Sequence, residues 1–258
     1  GIPNFKMEKG IIDRRLTILK AEGITFKTNV NVGVNFDVKK LKSFDAVVLC
    51  GGATERRSLP TPGIDAHGVV QAMDFLTQQT KVIFGKEVKN QILATNKHVI
   101  VIGGGDTGSD CIGTSNRQGA KSVVNFEIMP KPPGHRSPTT PWPYWPLKLK
   151  TSSSHEEGAE RNWLINTKEF VKDENGKLTA LKTVNVEWEM VPGERPQLIE
   201  IEGTEKTWPC ELALLALGFT GPESTLADKL GINVDARSNY KAEYGKYQTN
   251  KPNILKAF

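Results

Sequence analysis

Three glycines spaced as G-x-G-x-x-G directly follow a short apolar run, and this spacing could bind the pyrophosphate of a dinucleotide. The run covers residues 98–102, and the glycines are Gly103, Gly105 and Gly108. Gly103 would permit a sharp turn out of a strand, because a Cβ there would clash. Gly105 would let the backbone approach the phosphate oxygens, and Gly108 would let the next helix lie close to the sheet. The N–H groups at the start of that helix would face the anion. A purely structural glycine turn is the weaker alternative.

The other residues of this turn add to the predicted cofactor-binding set. Gly104 lies within it, and a helix is expected from Thr107 to about Gly119. Asp106 and Thr107 could contact a water that bridges to phosphate or could cap the helix, and capping is the favoured interpretation. No catalytic acid, base or nucleophile is predicted, because the cofactors themselves carry out hydride transfer.

Glu127 ends the next predicted strand, where an acid normally accepts hydrogen bonds from the adenosine ribose hydroxyls. A negative charge about 4 Å from a 2′-phosphate would cost roughly 4 kcal/mol at an effective dielectric near 20. Glu127 therefore predicts NADH over NADPH. NADPH stays possible, because Lys131, His135 and Arg136 could fold back onto a phosphate. The alternative for Glu127 is an ordinary solvated strand end.

Hydrophobic periodicity predicts the α/β class, with a doubly wound Rossmann-type domain around the glycine turn and an antiparallel β-meander after it. Helices are expected over residues 9–22, 68–84 and 107–119, with a short helical turn over 37–41 capped by Asp37. Strands are expected over residues 24–30, 45–50, 121–127 and 211–217, besides the run at 98–102. Residues 163–191 predict an antiparallel hairpin turning at 173–176, residues 197–201 a third strand, and residues 251–258 a strand that is cut short.

Residues 129–151, called here the proline-rich loop, contain seven prolines, at positions 130, 132, 133, 138, 141, 143 and 146. This density excludes regular helix or sheet. Trp142, Tyr144 and Trp145 favour an ordered surface loop over disorder. Packing of its tryptophans onto their own domain is preferred to contact with a partner domain.

Composition excludes several classes of function. The apolar runs fall short of the roughly 20 residues that a membrane span needs, so no membrane association is expected. The net charge of +5 is dispersed rather than concentrated in a stripe, so nucleic acid is not an expected partner. The histidines and cysteines have no metal-ligand spacing. Cys50, Cys111 and Cys210 are expected to be small buried residues in a reducing compartment, which predicts a cytoplasmic location with an organelle left open.

Several motifs together resemble the small subunit of NAD(P)H-dependent glutamate synthase, or the C-terminal reductase region of the single-chain enzymes. These motifs are residues 1–4, 50–56, 103–111, 141–143 and 217–223. The family is part of the two-dinucleotide-binding flavoprotein superfamily. The resemblance implies a nicotinamide domain inserted into a flavin domain. It places a partial FAD-binding segment at 1–67, the NAD(P)H-binding domain at 68–218 and a second, truncated FAD-binding segment at 219–258.

The resemblance also implies a function. Gly52 and Gly218 would lie near a cofactor or the interdomain seam, with simple strand-ending turns as the alternative. Hydride would pass from NADH to FAD, and then through iron–sulfur clusters toward glutamate formation from 2-oxoglutarate and glutamine. FAD is expected only in the intact protein, with the remaining flavin-domain segments and the glutamate synthase large subunit or region as partners. The fragment alone is expected to be inactive. Another flavoprotein reductase of the superfamily and a non-catalytic nucleotide-binding module are the alternatives.

Overall fold

The computed structural model describes residues 1–191 and 193–257, and the chain divides into two compact units. The first unit comprises Gly1–Lys9 and Ser58–Leu217. The second comprises Gly10–Arg57 together with the chain from Gly218 to the end of the described residues.

The helices are α1 (Lys9–Ala21), α2 (Ala72–Ile83), α3 (Asp106–Arg117), α4 (Ser153–Glu156) and α5 (Ser224–Leu230), with a 3-10 helix at Val38–Ser43. The strands are β1 (Val47–Leu49), β2 (Glu55–Arg56), β3 (Val69–Gln71), β4 (His98–Ile102), β5 (Ser122–Glu127), β6 (Glu160–Trp163), β7 (Ile165–Lys172), β8 (Leu178–Glu189), β9 (Gln197–Glu200), β10 (Lys206–Pro209), β11 (Leu212–Leu215), β12 (Phe219–Gly221) and β13 (Ile254–Lys256).

A five-stranded parallel sheet in the order β3-β11-β4-β5-β6 forms the centre of the first unit. Strand β4 is apolar after its first residue because both faces of the sheet are covered. Val99 and Val101 pack against α2 and α3, whereas Ile100 and Ile102 face the antiparallel strands. The predicted α/β class with a buried parallel sheet is confirmed.

The antiparallel strands cover the face of the parallel sheet opposite α2 and α3. Strand β8 pairs with β7, β9 and β10. Phe126 of the parallel sheet meets Trp208 of β10 edge-on, with ring centroids 5.0 Å apart. The Trp208 indole N–H donates to Thr183 Oγ1 at 2.8 Å, which satisfies its polar atom in the core. The predicted hairpin and third strand are confirmed.

Residues before the predicted boundary at position 68 partly belong to the first unit. The Arg117 guanidinium lies 3.8 Å from the centroid of the Phe5 ring. Ala66 is buried in the same apolar cluster as Phe170, and the Phe170 N–H donates to Pro62 O at 2.9 Å. These contacts explain why residues 1–9 and 58–67 join the first unit. The assignment of cofactors to domains stays a prediction.

The second unit contains a parallel pair of strands, β1 and β13, and an antiparallel pair, β2 and β12. Its small core is formed by Leu49, Ala227, Ile232 and Tyr240. The predicted first helix is confirmed as α1. Asp37 caps the 3-10 helix as predicted, because its carboxylate accepts from Lys39 N at 2.9 Å.

Two predictions about secondary structure and one about burial are wrong. Residues 24–30 form no strand, and Ile24, Phe26 and Val30 are exposed, since no neighbouring strand among the described residues pairs with them. The helix predicted from residue 68 begins only at Ala72, because Val69–Gln71 pairs with β11 as β3. Cys50 is exposed just beyond β1, whereas Cys111 and Cys210 are buried as predicted. The predicted last strand is β13, and Phe258 lies outside the described residues.

Candidate dinucleotide-binding site

The turn after β4 requires glycine at two of its positions. Gly103 has φ +117°, and a Cβ there would collide with the carbonyl oxygen of Ala216. A Cβ on Gly108 would collide with the Gly103 carbonyl oxygen, so glycine allows α3 to lie against the end of the strand. The Gly103 N–H donates to Phe126 O at 2.8 Å and thereby ties the turn to β5.

Gly105 differs from these two glycines because the space in front of it is open. It is the N-cap of α3, with φ −80°, and a Cβ built on it meets no atom within 4 Å. No side chain caps the helix, so the first-turn N–H groups stay available to a ligand. The predicted capping role of Asp106 and Thr107 is wrong, since Asp106 begins the helix and Thr107 follows it.

The Glu127 carboxylate is fixed beside this open helix end. Its Oε2 accepts from the Gly104 N–H at 2.7 Å, and its Oε1 accepts from the Met129 N–H at 3.0 Å. Two backbone N–H groups therefore hold the Glu127 carboxylate in place, and its contact with a ribose stays a prediction. Each oxygen keeps a further lone pair that can accept a hydroxyl proton.

Asn125, which no sequence motif indicated, stabilises the same turn through hydrogen bonds from β5. It is buried, and its Nδ2 donates to both Val101 O and Gly103 O at 3.0 Å. An asparagine inside an otherwise apolar strand was the available signal, because buried amides need partners.

A cavity of about 960 Å³ opens in front of the turn. Gly104, Gly105 and Glu127 form one part of its lining. The proline-rich loop contributes Trp145, and β6 contributes Trp163. The predicted turn residues Gly104, Gly105, Asp106 and Glu127 thus line one cavity. Its volume is in the range of cofactor pockets.

A chain of hydrogen bonds that the sequence did not reveal includes three residues that line this cavity, Ser109, Ser152 and His155. Lys6 Nζ donates to Ser109 Oγ at 3.3 Å, and Ser109 Oγ lies 2.6 Å from Ser152 Oγ. Ser152 Oγ lies 3.0 Å from His155 Nδ1, which also accepts from the Ser152 N–H at 3.1 Å. The imidazole proton therefore resides on Nε2, for which the described residues supply no hydrogen-bond partner.

Burial, together with the positive charges of Arg161 and Lys6, lowers the pKa of His155 to about 4. The imidazole is consequently neutral at pH 7. It contributes an oriented polar group rather than a charge to the cavity.

The basic side chains near the cavity have different partners. Arg136 donates to Thr140 O and Tyr144 O, both at 2.9 Å, so its guanidinium stabilises the proline-rich loop itself. Lys131 Nζ and Arg161 Cζ lie 4.9 Å and 5.0 Å from the centroid of Trp163. His135 is exposed.

The tryptophans of the proline-rich loop do not pack onto their own unit, so that prediction is wrong. Trp142 is 83% exposed, Tyr144 67% and Trp145 76%. The loop forms no helix or strand, as predicted, and its backbone is folded on itself.

Gly52 and Gly218 lie in the second unit and adopt positive φ angles of +66° and +76°. A Cβ at either position would meet no atom within 4 Å. Both glycines are thus explained as turn residues, and their contact with a cofactor stays a prediction. Among the described residues, no cluster of metal-ligating side chains occurs and no helix is long and apolar enough to cross a membrane.

Comparison with curated proteins identifies relatives along the entire chain. It is 45% identical to the "Glutamate synthase [NADPH] small chain" of Mycobacterium tuberculosis and 42% identical to that of Bacillus subtilis, with 100% of this chain aligned in both cases. It is 43% identical to the "Glutamate synthase [NADH]" of Schizosaccharomyces pombe, again over 100% of this chain.

The chain is homologous to the glutamate synthase small chains. It covers 53% and 54% of the two bacterial small chains and 13% of the fungal protein, and so spans about half the length of the small chains that it matches. No protein-family model matches this chain.

Solved structures share the fold of this chain. FprA of M. tuberculosis in complex with NADPH superposes with a TM-score of 0.61 at 16% identity, covering 88% of this chain and 61% of FprA. A mutant of FprA gives a TM-score of 0.66 at 16% identity, covering 99% of this chain and 67% of FprA. At this identity the likeness shows the fold alone.

Proposed function

We propose that this chain is the nicotinamide-binding part of a glutamate synthase and that it passes hydride from NADH to FAD in the intact protein. The electrons then serve glutamate formation from 2-oxoglutarate and glutamine. The observation that best supports this proposal is the position of the Glu127 carboxylate. It accepts a hydrogen bond from the Gly104 N–H beside the N-terminus of α3, which no side chain caps. Homology to the glutamate synthase small chains supports the assignment of the reaction.

The helix end fits a dinucleotide pyrophosphate. The first-turn N–H groups of α3 have neither an intrahelical partner nor a side-chain cap, and the space before Gly105 is open. The positive end of the helix dipole favours an anion at this place. Nicotinamide, when bound, supplies the hydride that flavin accepts; the protein contributes binding and orientation.

Glu127 supports NADH rather than NADPH. A charge held about 4 Å from a 2′-phosphate costs roughly 4 kcal/mol at an effective dielectric near 20. Solvent reduces this cost at a half-exposed carboxylate, and half of it still exceeds tenfold in affinity. The positive charges of Lys131 and Arg161, which lie over the Trp163 ring, reduce this preference for NADH. The relatives do not decide between the cofactors, since their names include both.

The rest of the flavin site and the electron acceptor belong, in this proposal, to parts of the intact enzyme outside this chain. We expect FAD to bind only when the remaining flavin-domain segments are present, and the glutamate synthase large chain or region to receive the electrons. The three free cysteines support a reducing compartment, in the cytoplasm or an organelle.

Calorimetric titration of the full-length protein with NADH, NADPH and ADP-ribose tests this proposal. NADH is expected to bind at least tenfold more tightly than NADPH. Equal affinity for all three ligands would favour a non-catalytic nucleotide-binding module. An assay with glutamine and 2-oxoglutarate then separates glutamate synthase from other flavoprotein reductases, because only the former makes glutamate at the expense of NADH.

A further inference from the structure

The exposed aromatic surface of the proline-rich loop consists of Trp142, Tyr144, Trp145 and Leu147. Every one of these side chains is more than half exposed. Four large apolar side chains are thus exposed within one short segment of the loop, and exposed apolar patches mark interaction sites in soluble proteins. Trp and Tyr are also the residue types that contribute most to the binding energy of interfaces.

The loop backbone holds this surface in place. Arg136 bridges the carbonyl oxygens of Thr140 and Tyr144, both at 2.9 Å. The Leu149 N–H donates to Pro133 O at 2.7 Å, which closes the base of the loop. Because the backbone is already ordered, docking would lose little conformational entropy.

The segment that carries this surface has only positive charges of its own. Residues 128–155 contain no aspartate or glutamate but include Lys131, Arg136, Lys148 and Lys150. Within the part of the chain that the structure describes, none of these four cations forms an ion pair with a carboxylate. Lys150 lies instead over the Trp145 ring, 4.6 Å from its centroid.

We infer that this aromatic surface docks onto an acidic face of another protein region. In the proposed function, on which this inference rests, that region is the glutamate synthase large chain or its equivalent in a single polypeptide. Uncompensated cations around exposed aromatics are complementary to acidic groups around an apolar recess. The fungal relative favours a protein over other polyanions, because there the matching segment occupies only 13% of one long chain.

The proline-rich loop forms part of the wall of the dinucleotide cavity, so a partner bound to the loop would lie close to the cofactor. Trp145 and Leu147 line the dinucleotide cavity, whereas Trp142 and Tyr144 do not. A partner seated on the loop would therefore lie at the rim of the cavity. Cofactor binding and partner binding can be altered separately, through different residues of one loop.

Hydroxyl-radical footprinting of the assembled enzyme tests the inference directly. Trp142 is expected to be at least fivefold less oxidised in the assembled enzyme than in the full-length protein without the partner region. Met190 provides an internal reference, since it is 76% exposed in the same unit and lies outside the loop. Equal oxidation of Trp142 in both samples would overturn the inference. Protection that appears only with added oligonucleotide or anionic vesicles would overturn it as well.

A variant separates docking from cofactor binding. In the full-length enzyme, Trp142→Ala/Tyr144→Ala is expected to reduce NADH-dependent glutamate formation at least tenfold, while NADH oxidation with ferricyanide stays within twofold of wild type. The matched control is Met190→Ala, which should change neither rate. Higher salt should weaken the coupled reaction more than the ferricyanide reaction.

Unchanged glutamate formation in the double variant would contradict docking. Failure of the wild type to oxidise NADH would instead contradict the proposed function. The footprint of Trp142 would remain interpretable in that case, because it does not depend on turnover.

Discussion

The Glu127 carboxylate accepts a hydrogen bond from the Gly104 N–H at 2.7 Å, so one acid both anchors the glycine turn and faces the cavity before it. The second oxygen is held by the Met129 N–H at 3.0 Å. This double anchoring fixes the position of the negative charge. A fixed charge discriminates between ligands more strongly than a mobile one, because it cannot swing away from a phosphate.

Removing that charge should change cofactor preference. Glu127→Gln keeps a carbonyl oxygen for one hydrogen bond but removes the repulsion of a 2′-phosphate. The affinity for NADPH is expected to rise at least tenfold relative to that for NADH, as measured by calorimetric titration of the full-length protein. Glu189→Gln, at the exposed end of β8, is the matched control. A ratio of affinities unchanged by Glu127→Gln would show that this carboxylate does not select the cofactor.

Gly103 should tolerate no side chain. Gly103→Ala places a Cβ against the Ala216 carbonyl and forces alanine into a positive φ. We expect a loss of more than about 3 kcal/mol in the free energy of unfolding, measured by urea titration. Gly119→Ala isolates the backbone component, because Gly119 has φ +78° but no atom within 4 Å of an added Cβ. That control should lose about 1 kcal/mol. Equal losses at the two positions would refute the steric explanation.

Gly105 should be required for binding but not for folding. Gly105→Ala introduces a methyl group into open space at an ordinary φ of −80°. The free energy of unfolding should change by less than about 0.5 kcal/mol. The affinity for NADH should fall at least tenfold, because the methyl group holds the phosphate away from the helix amides. Gly134→Ala, another open glycine, serves as the control and should leave affinity intact. Undiminished NADH binding in Gly105→Ala would place the pyrophosphate elsewhere.

His155 should make the first unit sensitive to acid. Burial lowers its pKa from 6.5 to about 4, so the unfolded chain binds the proton more readily between these values. The stability that His155 contributes is therefore complete above pH 6.5 and is lost as the pH falls toward 4. His155→Gln should flatten the dependence of the urea midpoint on pH across this interval, with His135→Gln as the control for removing an exposed imidazole. Identical slopes in wild type and His155→Gln would contradict this origin of acid sensitivity.

Elements whose structure is determined by their own few residues could be predicted from the sequence. The turn at Gly103 and the apolar strand β4 follow from short stretches whose chemistry is set by their own residues. The strand expected over residues 24–30 was wrong because alternation reports a half-buried face, whereas a strand also needs a hydrogen-bonding neighbour. The short strand β3 was missed because three residues ahead of a helix carry too little periodicity to separate the two elements.

Long-range contacts explain the rest of the site. Lys6, Ser109 and His155 meet only after the chain has folded, so their spacing in the sequence gives no indication of a shared hydrogen-bond chain. The composition of the proline-rich loop predicts that the loop is ordered. Composition could not show which way the side chains of Trp142 and Trp145 point, because that depends on how Arg136 folds the backbone.

The buried amide of Asn125 fixes the alignment of the two central strands. Its Nδ2 reaches the carbonyls of Val101 and Gly103 only when β5 lies opposite β4 in the observed pairing. Sliding β5 by two residues would bring Val123 or Glu127 to this place, and both carbonyl groups would lose this donor inside the core. One asparagine thus excludes shifted pairings that the apolar side chains alone would tolerate, and it keeps Glu127 level with the glycines.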